Sequence, residues 1–204
     1  QWQYRMPLVE VLNVLDLRMR QTKRLVLRPL ELHDYENWRQ AYSMLRPAQN
    51  EWDEGAWKDS ELTLVKYKQL LKRLAKMRKD DELYDYGVFR KDDGVFLGYL
   101  RFMDVSRKNF QNAYLGYRIF NNYWGEGYAS EACRGAIQIA FKDLQLHRIE
   151  AGIEPHNKPS IRVAKALGLR KEGFSRRRLL VDKKWKDMLI FAGTCEDFNL
   201  KYQK

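Results

Sequence analysis

Between Ala113 and Leu144 the sequence AYLGYRIFNNYWGEGYASEACRGAIQIAFKDL changes its hydrophobic period once. Tyr114, Leu115, Tyr117, Ile119 and Phe120 carry aromatic and branched side chains that favour a strand. Ala129, Ala132, Cys133, Ala136, Ile137, Ala140, Phe141 and Leu144 then recur at helical spacing. Between the two, Gly125 and Gly127 leave successive backbone N–H groups uncovered where the helix begins. A helix start carries roughly half a unit of positive charge, so this loop suits an anionic group such as a diphosphate. The helix is followed by LHRIEAGIE, Leu146 to Glu154, a second strand that a helical crossover sets parallel to the first.

The flanking segments extend the sheet. LYDYGVFRK and VFLGYLRFMDV flank Asp92-Asp93-Gly94, a hairpin signal, so three antiparallel strands lead into the glycine loop. Arg24 to Leu30 reads as an earlier strand, followed by a helix from Asp34 to Leu45 that Pro47 ends. Ser60 caps a further helix whose apolar face is expected to run through Leu62, Val65, Leu70, Leu74 and Met77. After Glu154, the turn Pro155 to Ser160 enters a short helix stopped by Gly168, and a hairpin pairs Leu169–Val181 with Trp185–Thr194. The fold class is mixed α/β, a mostly antiparallel central sheet with one parallel pair and flanking helices. Without repeats or linkers, residues 23–198 read as a single domain, preceded by an arm, 1–22, and followed by a tail, 199–204.

An excess of 38 basic over 27 acidic residues, +11 overall, favours an anionic partner. Cys133 and Cys195 make neither a disulfide framework nor a metal cluster and read as small core residues; the three histidines show no zinc spacing, so no metal is expected. No apolar run reaches the roughly 18 residues of a membrane span, and the first twenty lack a signal-peptide core. A cytoplasmic protein is the expectation. Trp52 and Trp57, set among Glu51, Asp53, Glu54 and Asp59, either border a substrate entrance or anchor their loop onto the body.

Several stretches in this order resemble one family: the YWGEGYASEA loop and helix, the RIEA strand, the Asn157-Lys-Pro-Ser160 turn, the ALGLRKEG segment and the Trp185-Lys-Asp187 hairpin. Together they resemble the GNAT acyltransferase superfamily, and within it the RimJ and RimL branch, which acetylates N-terminal amines of ribosomal proteins. The likeness is close from Leu97 to Phe198, looser from Lys23 to Lys91, and does not cover residues 1–22. It implies the GNAT fold, with the parallel pair splayed, and acetyl-CoA as cosubstrate. The CoA diphosphate would rest on backbone amides of Gly125, Glu126, Gly127, Tyr128, Ala129 and Ser130. Ile119 and Phe120 would pair with the pantetheine amides as an added strand, Asn157 would bond that arm, and Ser160 would lie by the thioester sulfur. The sequence departs from the family at Asn122, where Gln or Arg is common, and in the helix after Asn157, which lacks the tyrosine that many relatives use to protonate the leaving sulfur.

The implied reaction is direct attack of an amine on the acetyl thioester. A protein α-amine is about a tenth deprotonated at pH 7, a lysine about one molecule in two thousand, so an N-terminal acceptor demands little of a base. Glu150 is the first candidate for that base and Asp187 the second, or a seat for the substrate ammonium; a main-chain N–H near Arg118 to Phe120 would polarise the carbonyl. The favoured acceptor is a ribosomal protein N-terminus, with the basic runs Arg176–Arg178 and Lys183, Lys184 and Lys186 available to ribosomal RNA. Small amines such as polyamines or aminoglycosides compete as acceptors, and an arginine-rich mouth is expected to disfavour the latter. A noncatalytic acyl-CoA sensor or RNA-binding module is the remaining class.

Overall fold

A computed structural model describes residues 19–202. Eight strands form one sheet: β1 Arg20–Gln21, β2 Leu25–Arg28, β3 Leu83–Arg90, β4 Phe96–Ser106, β5 Asn112–Ile119, β6 Arg148–Ile153, β7 Arg170–Val181 and β8 Lys184–Thr194. Their spatial order is β1-β2-β3-β4-β5-β6-β8-β7, and every neighbouring pair is antiparallel except β5 and β6. The expected arm lies outside the described residues up to position 18, and its last residues supply β1, which pairs with β2.

Four helices flank the sheet: α1 Tyr35–Ser43, α2 Leu64–Lys79, α3 Tyr128–Gln138 and α4 Lys158–Ala166. The crossover through α3 makes β5 and β6 parallel, and a π turn at Ile139–Asp143 widens its end, with Leu144 N–H donating to Ile139 O. Thr63, not Ser60, caps α2, its hydroxyl accepting from Lys66 N–H at 3.3 Å. Of the expected face, Leu62 and Leu74 are buried and Leu70 and Met77 half-buried, whereas Val65, about 200° around the helix from the buried Tyr67, is exposed, which corrects that position.

The strands alternate between two apolar clusters. Leu25, Leu27, Leu100, Phe102, Leu115 and Ile119 join Ala132, Cys133 and Ala136 of α3 in the larger one. Trp38, Tyr42, Tyr67, Phe89, Phe96 and Phe120 make a smaller, mostly aromatic one against α1 and α2. Both cysteines are buried and free.

Candidate active site

Pairing between β5 and β6 covers only Asn112–Arg148, Ala113–Ile149 and Tyr114–Glu150; beyond that the strands diverge. The opening is a cavity of about 690 Å³ lined by both strands from Leu115 to Arg118 and from Ala151 to Glu154. Cys133 of α3 and Ser160 and Ala164 of α4 line it, as do Glu51 to Asp53 and the β7–β8 hairpin. It therefore passes between the two strands.

Backbone pairing decides which amides face this gap. Phe120 N–H donates to Leu97 O, 2.8 Å, and Phe120 O accepts from Tyr123 N–H, 2.9 Å. Antiparallel alternation then turns the amides of Gly116 and Arg118 toward β4 and those of Tyr117 and Ile119 toward the splay. The Ile119 carbonyl is taken by the Trp124 indole N–H, 2.6 Å. Phe120 has no backbone group left for an added strand, so the inward pair is Tyr117 and Ile119, one register step earlier than expected.

Further along, Gly125 and Gly127 take φ of 86° and 77°, left-handed values that glycine adopts without steric cost. Gly127 is the N-cap of α3, and no side chain caps the helix there. Gly125, Glu126 and Gly127 are exposed, whereas Tyr128 is buried beneath the Arg24 guanidinium, 4.5 Å from its ring centroid. Ala129 and Ser130 are half-buried. The loop stands outside the cavity, beyond the end of β5. Glu131 in the first turn of α3 faces away from an anion: it accepts from Thr22 Oγ1 at 2.6 Å and from Arg24 N and Nε at 2.7 Å each. Asn122 is spent on the segment after α1, accepting from Arg46 N–H at 3.0 Å and donating to Met44 O at 2.8 Å.

Asn157 and Ser160 meet in the cavity. Asn157 caps α4, its Oδ1 accepting from Ser160 N–H at 3.2 Å, and Ser160 Oγ lies 3.4 Å from the Tyr117 hydroxyl. Burial pushes the Tyr117 phenol up to about 12, so it remains a proton donor through the neutral range. The tyrosine beside Ser160 thus comes from β5 and not from α4; its signal in the sequence is the alternation of Leu115, Tyr117 and Ile119 onto one face.

The two carboxylates expected as bases are absent from the cavity lining. Glu150 does not line the cavity; its Oε1 accepts from Arg148 Nε at 2.9 Å and from Asn112 Nδ2 at 3.3 Å. Burial alone would raise its pKa, but bonds from Arg148, Tyr114 and Asn112 outweigh that and hold it low, the wrong direction for a base. Asp187 sits on the other face of β8 from the cavity-lining Lys184, Lys186 and Met188, and accepts from Arg177 N–H at 2.8 Å within the β7 bulge. Glu154 escaped the sequence reading. It lines the cavity, accepting from the Trp52 indole N–H and from Lys186 Nζ, both at 3.0 Å.

The two tryptophans divide the readings offered for them, Trp52 bordering the cavity and Trp57 packing on Tyr42 at a centroid distance of 4.2 Å. Arg118 Nη2 donates to Trp52 O at 3.1 Å, while Nη1 stands 2.9 Å from Glu54 Oε1 as an ion pair not aligned for a hydrogen bond. The lining is not arginine-rich: Arg118 is its one arginine among the described residues, with Glu51, Asp53, Glu154 and Asp182 facing Lys184 and Lys186. Outside the cavity lining, His147, Cys195 and Glu196 bring potential metal ligands within 4.8 Å of one another, and a 3.1 Å bond between His147 and Glu196 already satisfies two of them.

Residues 24–170 match the family model of the acetyltransferase (GNAT) domain. The chain belongs to the GNAT acetyltransferases. It is 32% identical over 179 residues to the ribosomal protein uS5-alanine N-acetyltransferase of Escherichia coli, covering 87% of this chain and 91% of that one. With the probable N-acetyltransferase YjcK of Bacillus subtilis it shares 31% identity over 180 residues, 83% and 93% of the two chains. The solved structure of Mycobacterium smegmatis RimJ in complex with CoA-disulfide superimposes with a TM-score of 0.71 at 26% identity, covering 87% of this chain and 85% of that one. The GNAT fold uses acetyl-CoA. The residues present suit that cosubstrate: bare amides at a left-handed glycine loop for phosphate, and inward-facing amides of an unpaired strand for an amide-bearing arm.

Proposed function

We propose that this GNAT enzyme transfers the acetyl group of acetyl-CoA to the N-terminal α-amine of a ribosomal protein. The observation that carries the reading is the cavity between β5 and β6, with the uncapped start of α3 beyond the C-terminal end of β5 and four carboxylates in the cavity lining. In this reading the amides from Gly125 to Ser130 hold the diphosphate, Tyr117 and Ile119 pair with the pantetheine arm, and Asn157 adds a side-chain bond. Acetyl-CoA supplies an activated thioester. Ser160, backed by the Tyr117 hydroxyl, donates a hydrogen bond to the sulfur as it leaves. A main-chain N–H of Tyr117 or Ile119 polarises the carbonyl.

The acceptor follows from chemistry and kinship together. An α-amine is already deprotonated in about one molecule in ten at pH 7, which matches a site where neither Glu150 nor Asp187 serves as base. The 32% identity to a uS5-alanine N-acetyltransferase supports a ribosomal protein. Charge does not exclude a small cationic amine, because the mouth carries carboxylates rather than an arginine cluster. Arg176, Lys183 and Lys184 remain exposed on the β7–β8 hairpin for ribosomal RNA or another polyanion, whereas Lys186 is engaged by Glu154 and Glu51. The decisive experiment is mass spectrometry of ribosomal proteins, with spermidine added as competitor, after incubation with enzyme and labelled acetyl-CoA. Label on an α-amine is expected; label confined to lysine side chains or to spermidine would refute the assignment.

A further inference from the structure

Four carboxylates line the cavity, and three are accounted for by position or partners. Asp53 accepts from Asn121 Nδ2 at 2.9 Å and from Gln49 N–H at 3.0 Å, fixing its own loop. Asp182 lies exposed in the hairpin turn, and the Glu51 side chain is 60% exposed. Glu154 is different, with 15% of its side chain exposed and each oxygen held by a donor, the Trp52 indole on one and the Lys186 ammonium on the other.

The two donors differ in kind. Trp52 is fixed from behind, because Arg118 holds its carbonyl. Lys186 arrives on a flexible four-carbon stem, and its Nζ also stands 3.5 Å from Glu51 Oε2. A primary ammonium is thus already sitting on a half-buried carboxylate in the cavity that holds Tyr117 and Ser160. Replacing one primary ammonium by another keeps the charge of Glu154 compensated, whereas removing the lysine without a replacement would not.

We propose that Glu154 and the Trp52 indole form the seat for the acceptor's primary ammonium group, and that Lys186 Nζ occupies this seat as an internal stand-in until an acceptor displaces it. The seat rests on the acetyltransfer reading for its purpose. It selects a cationic amine and makes Lys186 a built-in competitor that sets acceptor affinity; before attack the seated ammonium passes its proton to the Glu154 carboxylate, which leaves a neutral nitrogen for the thioester.

Calorimetry with CoA present, an alanine-initiated hexapeptide and its N-acetylated counterpart tests this at about pH 6.5, where the α-amine is protonated. Lys186→Met should bind the free peptide about tenfold more tightly than the parent enzyme, and Glu154→Gln about tenfold more weakly, as expected for a charge-assisted bond. The acetylated peptide should not distinguish the three proteins. Unchanged affinities, or two variants moving in the same direction, would overturn the seat; should Glu154→Gln fail to fold, Lys186→Met alone decides. Turnover of the same peptide separates the two readings. Acetylation without the opposed shifts removes the seat only, and opposed shifts without acetylation remove the α-amine acceptor only.

Discussion

Glu150 and Glu154 stand four positions apart on or just beyond one strand, yet they meet different surroundings. Glu150 is held by Arg148, which also reaches Glu172, an arrangement that suits a structural anion. Glu150→Gln is predicted to leave kcat and its pH profile within about twofold while lowering stability by roughly 1–2 kcal/mol, as loss of charge-assisted hydrogen bonds does. Steady-state rates and thermal melts check both halves. Ser160 and Tyr117 carry the opposite expectation. Ser160→Ala should lower kcat about 100-fold with little change in KM for acetyl-CoA, the signature of an interaction made as the sulfur leaves. Tyr117→Phe should cost less, since the hydroxyl acts on Ser160 and its ring still fills the cavity wall.

At the scale of elements, the start of α3 is clasped to the β1–β2 turn through Glu131, Thr22 and Arg24. Burial raises the Glu131 pKa, but the bonds from Thr22 and Arg24 outweigh it and set it below the ordinary 4.5. A carboxyl depressed by folding contributes stability above its unfolded value and loses it as pH falls through the folded one. The clasp is therefore predicted to contribute in full above about pH 4.5 and to be lost as pH falls through the lower folded-state value, and Glu131→Gln should remove roughly 2 kcal/mol at pH 7 together with that acid dependence. Melting temperatures from pH 3 to 7 read this out. In the adjoining loop, Gly127→Glu puts a side chain at positive φ and a carboxylate where phosphate is proposed, so CoA binding should vanish while the fold persists. Much of this region was legible in the sequence, because the change of period and the two glycines fall on one short stretch. On α2 the stripe through Leu70, Leu74 and Met77 was legible as well, and Val65 was misplaced on it because Leu62, three positions earlier, is buried from outside the helix.

At the scale of the whole molecule, the sheet separates two cores and, among the described residues, parts between β5 and β6. The antiparallel strands leading into the glycine loop and the single parallel pair were readable, since hairpin signals and one helical crossover dictate them; that β8 and not β7 pairs with β6 was not. The roles of individual side chains at the breach were not. Whether a strand residue faces the cavity depends on pairing parity and bulges, as with Phe120, whose amide is consumed by Leu97, and Asp187, which alternation turns to the far face of β8. Nor does sequence distance show that a loop near Trp52 closes over Glu154, 102 positions away. The central claim is that the inward amides of β5 and the bare start of α3 together hold the cosubstrate. Residue-resolved amide hydrogen exchange with and without CoA tests it most directly. Protection should rise at Tyr117, Ile119 and Gly125 through Ser130 and stay unchanged at Phe120, already bonded to Leu97; protection that leaves Tyr117 and the Gly125–Ser130 stretch unaltered would contradict it.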